Sequence, residues 1–446
     1  MVRAPLLSGI SVAEAARRLG VKRETVYAYV SRGLLSSRRR PGSRESLLDA
    51  GEVARLAARQ RGGAGRAGSL EVVVDSELTL LDPDGHLYYR GWDVTRAAEA
   101  AWFEEVALFL WGQPTDDARR LFEAPTGLLG PARAAAALPP ADAGPLDRLL
   151  LALAAAASAD PFRHSREPEG TARRGARMIA VVVEALPRLA DPLAEGGPAP
   201  LAERLWCRLS RRLPSAEETR VTNAALVLLA DHELATSTLA ARVAASTGAD
   251  LYRVVMAGMA AVGGPLHGGA GDRAARLVKE AAERGVERAV GDRLSSGEEL
   301  AGFGHLVYRV ADPRADALLG ALRSAFPASP FVEAADGVIE AVRAEQPAAF
   351  PNVDLALGTL VGAAGMAEGS AEAIFTTARL AGWVAHGMEE YGHRLRFRTR
   401  AAYTGPEPGS ISPPPGEPPA GLLRRARAGR ARAPREARGS GGASGA

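Results

Sequence analysis

Four stretches of the chain carry side chains that can take, give or hold protons. They are "ADHELATST" with His232, "GGPLHGGAGD" with His267, "AGFGHLVYRVADPRA" with His305 and "FPNVDLALG" with Asp354. Imidazole and carboxylate groups are the usual agents of general acid–base chemistry once their surroundings tune them. Taken singly, each of these residues reads as readily as the cap of a helix end. His267 stands between Gly263-Gly264-Pro265 and Gly268-Gly269, just ahead of a helix expected to begin near Gly268. The positive end of a helix disfavours an imidazolium, so a histidine there is expected to stay neutral and donate a hydrogen bond.

The elements that must position these residues are mainly helical. From Trp92 onward the apolar spacing follows a helical period, with few strand candidates. Ahead of it, "LEVVVDSELTLLDPDGHLYYRGWD" contains two strand-like runs around Asp82-Pro83-Asp84-Gly85, the composition of a hairpin turn. Nearer the N-terminus, Val12, Ala15, Ala16 and Leu19 share one helical face, and Val26, Val30 and Leu34 share another. Ser11 and Glu14 form a candidate capping box. Two short helices joined by a Gly-containing turn are the frame of a helix-turn-helix, whose second helix carries Lys22, Arg23, Thr25 and Tyr27. The basic loop "SSRRRPGSR", with Arg38, Arg39 and Arg40, suits phosphates, and "SLLDAGEVARLAAR" is expected to be a further amphipathic helix. This segment resembles a shortened MerR-type or excisionase-type DNA-binding domain; a small dimerisation or docking module is the other reading.

Charge divides along the chain in the same places. Residues 1 to 70 hold 14 basic against 5 acidic side chains and residues 405 to 446 hold 7 against 3, whereas the remainder holds 34 against 44. Basic ends around an acidic globule suit contact with nucleic acid, as well as a solvated surface. The one cysteine, Cys207, excludes an intrachain disulfide and a cysteine-rich zinc site. The longest apolar run, Leu149 to Ala159, is shorter than the roughly 20 residues that span a bilayer. A cytoplasmic protein with no membrane segment is expected. Beyond Gly405 the Pro-, Gly- and Arg-rich composition predicts disorder.

Together the motifs resemble the citrate synthase family, from about Leu70 to Gly405. The resemblance begins with "YYRGWDV", "FEEVALFLWG" and "DHEL", runs through "GGPLHGGA" and "GFGHLVYRVADPR", and ends with "FPNVDLALG", "ARLAGWVAHGMEE" and "RFRTRAAYTG", in the family's order. It implies a two-domain helical fold, with a large domain at 70–266 and 358–404 and a small domain at 267–357. These follow a helix-turn-helix domain at 1–61 and a linker at 62–69, and precede a tail at 405–446. It implies a homodimer that condenses acetyl-CoA with oxaloacetate and needs no resident cofactor or metal. Asp354 is then the base, His267 the donor to the thioester oxygen and His305 the donor that polarises the keto carbonyl. His232, Arg314 and Arg379 bind oxaloacetate, and Arg398 reaches the neighbouring subunit's site. Arg309 matches a position that contacts CoA phosphates in parts of the family, although a solvent-facing role suits it as well. Arginine fits the carboxylate-binding positions because its planar fork pairs bidentately and stays charged.

The chain departs from the family at Ala235 and Gly271, where many members carry asparagine, at Leu306 and at Thr399. Two other functions stay open at this level: a DNA-binding regulator whose body senses metabolites, and a 2-methylcitrate synthase using propionyl-CoA. One methylene is worth only about 1 to 3 kcal/mol in a pocket, which no motif resolves.

Overall fold

The computed structural model describes residues 9–39, 46–61, 73–191, 199–264, 267–393 and 396–398. Arg40, the linker 62–69, Thr399 and the tail from 405 lie outside the described residues. Two units are distinguished, residues 1–396 and 397–446, and of the second only Phe397 and Arg398 are described.

The first elements are β1 (Gly9–Ser11), α1 (Val12–Leu19), α2 (Arg23–Ser31), β2 (Ser37–Arg39), β3 (Ser46–Asp49) and α3 (Ala50–Arg61). Ser11 caps α1 by accepting the Glu14 amide at 3.2 Å. Glu14 turns instead to Arg17 and Arg18, two exposed partners. Gly20, at φ 64°, ends the helix in the left-handed conformation that a residue without Cβ adopts freely. Two expectations are corrected here. Leu34 is half-exposed and Leu35 takes the buried place, because the chain turns at Gly33. Ser46–Asp49 is strand rather than helix: Leu47 and Leu48 pair with both β1 and β2 in a β1-β3-β2 antiparallel sheet, and this pairing overrides local helical preference. Asp49 then caps α3 by accepting the Glu52 amide at 3.0 Å. Val12, Ala15, Leu19, Val26, Leu48 and Val53 belong to a core of this module's own.

The hairpin forms as expected, with β4 (Thr79–Asp82) and β5 (His86–Tyr89) joined by a turn in which Gly85 has φ 100°. A third strand, β6 (Trp92–Asp93), pairs with β5. The body is then helical throughout. Its first half comprises α4 (Val94–Ala100), α5 (Phe103–Leu110), α6 (Ala118–Leu121), α7 (Thr126–Ala136), α8 (Pro145–Ala159), α9 (Pro168–Ala185), α10 (Leu201–Leu209) and α11 (Ala216–Leu229). The second half comprises α12 (Thr236–Ser246), α13 (Leu251–Val262), α14 (Ala270–Arg284), α15 (Val286–Ser296), α16 (Pro313–Ala325), α17 (Pro330–Glu345), α18 (Val353–Ala363) and α19 (Ser370–His393). Proline opens α8, α9, α16 and α17, where its missing amide hydrogen costs nothing and its fixed φ favours the first turn. α19 is the central helix: most of its residues from Ser370 to Gly387 are buried, and it packs against α8, α9, α11, α12, α13, α14 and α18. Among the described residues no helix is long and apolar enough to cross a membrane.

α14 and α18 approach so closely that a Cβ on Gly358 would sit 2.5 Å from the backbone nitrogen of Ala275. Backbone cannot rotate aside as a side chain can. Gly358→Ala is therefore expected to cost about 1 to 3 kcal/mol. Gly291→Ala, on α15 with nothing within 4 Å of the added carbon, is expected to be neutral or to gain about 0.5 to 1 kcal/mol. Paired denaturant melts check this, and equal effects at the two sites would contradict the packing described.

Candidate active site

His305 lies on a loop stitched to the start of α18. Phe303 bridges Pro351, the Gly304 amide donates to Phe350 at 2.9 Å, and the Asn352 amide donates to Gly302 at 2.8 Å. The Asn352 side chain joins both parts: Oδ1 accepts the Asp354 amide at 2.9 Å, capping α18, while Nδ2 donates to the Gly304 carbonyl at 2.9 Å. One side chain thus sets the carboxylate helix against the histidine loop. The ring of His305 is oriented by its own neighbours, since Nδ1 accepts the amides of Val307 at 3.0 Å and Tyr308 at 3.1 Å. With Nδ1 an acceptor, the proton of the neutral ring is on Nε2, which is free to donate.

His232 packs edge-on to His305, with ring centroids 5.1 Å apart, and its Nε2 lies 3.3 Å from the Tyr308 hydroxyl. His267 sits in the turn before α14, which begins at Ala270, and its Nε2 is 2.9 Å from Ser237 Oγ. Gly268 is required in that turn because a Cβ there would lie 2.6 Å from the Val262 carbonyl oxygen. Phe375 covers His267 edge-on at 5.7 Å.

Two buried guanidinium groups face these rings. Arg314, 3% exposed, is held by Asp312 through Nε at 2.9 Å and Nη2 at 2.8 Å. Asp312 caps α16 and also accepts the Val353 amide at 3.0 Å, so it ties Arg314 to the start of α18. Arg379, 1% exposed on α19, donates Nε to the Leu229 carbonyl at 2.9 Å and packs over Phe375. Their charge reaches every titratable group of the cluster. Burial, then Arg379, lowers His267 to about 4; burial, then Arg314, lowers His305 to about 4. His232 is pushed well below its ordinary value by burial and then by Arg314, Arg379 and the two other histidines. Burial and a nearby cation thus favour the neutral form expected for His267. Asp354 keeps some accessible surface, yet burial, helped by the charge of Asp312, raises its carboxyl to about 6 against the opposing pull of Arg314, Arg273 and Arg379. Neutral hydrogen-bond donors, two fixed cations and a carboxylate titrating near neutrality can hold a small dianion and take a proton beside it.

The structure brings His232, His267, His305, Arg314, Arg379 and Asp354 into this one cluster. Arg309 is not among them: its side chain is exposed, while its amide donates to the Pro83 carbonyl at 3.3 Å. Arg398 is exposed and belongs to the second unit. Of the N-terminal set, Lys22, Arg23, Tyr27, Arg38 and Arg39 are exposed and Thr25 is half-buried. Ala235 occupies the N-cap of α12 and supplies no side-chain bond there. Gly271 opens little room, because a Cβ on it would meet the Ala371 Cβ at 3.0 Å and Asp354 Oδ1 at 3.7 Å. Leu306 is 87% exposed. Ser237, Asn352, Tyr308 and Asp312 were not legible as site residues; for Asp312 the signal was an Asp before Pro-Arg at a helix start.

Comparison with known proteins follows the same boundaries. A family model described as "Citrate synthase, C-terminal domain" matches residues 69–400. Citrate synthase 2 of Bacillus subtilis is 31% identical over 345 residues, covering 73% of this chain and 91% of that protein. The 2-methylcitrate synthase of Shewanella oneidensis is 30% identical over 368 residues, covering 79% and 97%. Among solved structures, the citrate synthase of Thermoplasma acidophilum in ternary complex with carboxymethyl coenzyme A and oxaloacetate superposes with a TM-score of 0.64 at 28% identity, covering 77% of this chain and 96% of that one.

Titration of histidine-labelled protein by NMR checks the electrostatics. His267 and His305 are expected to remain neutral through pH 6 and to protonate near pH 4. Because both folded values lie below the unfolded one, the linked stability is present above about pH 6.5 and is lost as pH falls towards 4. A midpoint near 6.5 for either ring in the folded protein would contradict this.

Proposed function

Because the chain belongs to the citrate synthase family, we propose that its cleft condenses acetyl-CoA with oxaloacetate, and that the residues gathered there divide the work as follows. The chain is an enzyme of the citrate synthase type, a transferase that needs no resident cofactor. The observation that carries the assignment of roles is a carboxylate poised near neutrality, Asp354, beside two buried arginines and neutral imidazoles. Asp354 takes a proton from the acetyl methyl group. His267 donates to the thioester oxygen as charge develops there, a role that requires Ser237 Oγ, 2.9 Å from Nε2, to donate so that the ring proton stands on Nδ1. His305 donates from Nε2 to the keto carbonyl of oxaloacetate, so the new carbon–carbon bond forms at a polarised carbon. His232, Arg314 and Arg379 hold the oxaloacetate, and hydrolysis of the resulting thioester releases citrate and CoA.

The same reading assigns a large domain to 70–266 and 358–404 and a small domain to 267–357, which close to exclude water. It assigns a homodimer in which Arg398 serves the neighbouring subunit, and gives Arg309 to CoA phosphates. Propionyl-CoA is the alternative co-substrate, given the similarity to a 2-methylcitrate synthase. For residues 1–61 we propose contact with duplex DNA. In support, exposed Lys22 at the N-cap of α2 and exposed Arg23 and Tyr27 on that helix accompany exposed Arg38 and Arg39 on β2.

Purified protein is expected to release CoA thiol only with oxaloacetate present; equal release without it would indicate a thioesterase. Asp354→Asn should lower turnover by about a thousandfold or more while leaving oxaloacetate binding within a few-fold, since the base acts in proton transfer and the arginines in binding. Turnover should fall as pH drops through about 6, where Asp354 gains its proton.

Duplex DNA affinity should fall steeply with salt through counterion release, and Arg39→Ala should weaken it for all sequences alike. Absence of any salt-sensitive binding at low ionic strength would leave the docking-module reading of residues 1–61.

A further inference from the structure

Beneath the His232 turn lies a buried polar chain that the condensation itself does not use. Asp231 is wholly buried, and its Oδ2 accepts from Thr79 Oγ1 at 2.5 Å and from the Glu233 amide at 3.1 Å, with His386 Nε2 at 3.2 Å. The bond to Glu233 closes the chain around His232, and Glu233 is held at φ 55°, a conformation that a residue with a side chain keeps only under constraint. The other oxygen, Oδ1, has no hydrogen-bond partner among the described residues and lies where a Cβ on Gly382 would be 2.3 Å away. The direction of this carboxylate is therefore set by the donors on Oδ2.

His386 is in turn directed by Arg242. Its Nδ1 lies 2.9 Å from Arg242 Nη1, and a guanidinium only donates, so Nδ1 accepts and Nε2 carries the proton aimed at Asp231. Arg242 is fixed by Glu390, through Nε at 3.0 Å and Nη2 at 2.8 Å, by Glu389, and by His393 Nδ1 at 3.1 Å. Arg242, His386 and Glu390 are at most 1% exposed. Burying such a set costs about as much as its mutual attraction returns, and apolar packing would stabilise the fold equally well. What apolar packing cannot supply is a donor in a fixed direction.

We propose that His386 is a positioning residue: held by Arg242, it orients Asp231 and thereby the turn that presents His232 to oxaloacetate. Its kinetic test rests on the function proposed above, and its spectroscopic test on the geometry alone. His386→Leu keeps bulk and removes both bonds, whereas His386→Gln retains an N–H donor for Asp231. The leucine variant is expected to raise the KM for oxaloacetate about 10- to 100-fold, with the KM for acetyl-CoA changed less than about threefold, and the glutamine variant to stay within about threefold of the unaltered enzyme. The His232 ring signal in NMR, identified by its loss in His232→Gln, should move in the leucine variant and stay in place in the glutamine variant.

An unmoved His232 signal and unchanged KM in His386→Leu would overturn the proposal, as would equal losses in both variants. Thr79→Val, which removes another donor from the same oxygen, decides the matter if the leucine variant does not fold: it must raise the oxaloacetate KM and move the same signal. If the unaltered enzyme does not condense the two substrates, the proposed function fails, while the His232 signal still decides the positioning role.

Discussion

A buried guanidinium is tolerable only where something neutralises it, and for Arg314 that partner is Asp312, which receives two of its nitrogens. The same carboxylate caps α16 and accepts the first amide of α18, so one acidic side chain sets a charge, a helix start and the approach to Asp354 together. Without that carboxylate, Arg314 would face the low-dielectric interior unpaired, a state that costs several kcal/mol. Asn352 completes the arrangement from the other side by linking α18 to the loop of His305.

The two fixed cations act differently on the basic and acidic groups of the cluster. Positive charge and burial act in the same direction on an imidazole, and both keep it neutral. On a carboxylate they oppose one another, so Asp354 ends near neutrality rather than far above it. The neighbouring Asp312 carboxylate adds to the upward push on Asp354. In the proposed function this reserves the histidines as donors and the aspartate as the group that exchanges a proton.

The residues of the cluster were legible together, through short stretches whose order resembles the citrate synthase family: the glycines around His267, the Asp-Pro-Arg start of α16, and the Asn-Val-Asp start of α18. The residues that orient them were not, since Ser237 meets His267 across 30 positions and Asn352 meets Gly304 across 48. Local pattern carries no record of such pairings. The misread strand at Ser46–Asp49 has the same origin, because Leu47 and Leu48 face partners on two other strands. Burial, which favours the neutral form of His267, could not be read from sequence.

The close contact between Gly358 and the backbone of α14 is one of several in this body: Gly258 lies against the Trp383 ring and Gly382 against Ala230, each where a Cβ would be under 3 Å from its neighbour. Alanine fills much of the remaining core. Helices spaced by hydrogen atoms rather than by long side chains lose little rotamer entropy on folding, but they also have nothing to compress. The chain's tolerance of sequence drift is accordingly lopsided. Trimming a leucine leaves a hole that its neighbours partly close, whereas one added methyl group at these crossings must displace a ring or a stretch of backbone, and at Gly358 it does so on the helix that carries Asp354.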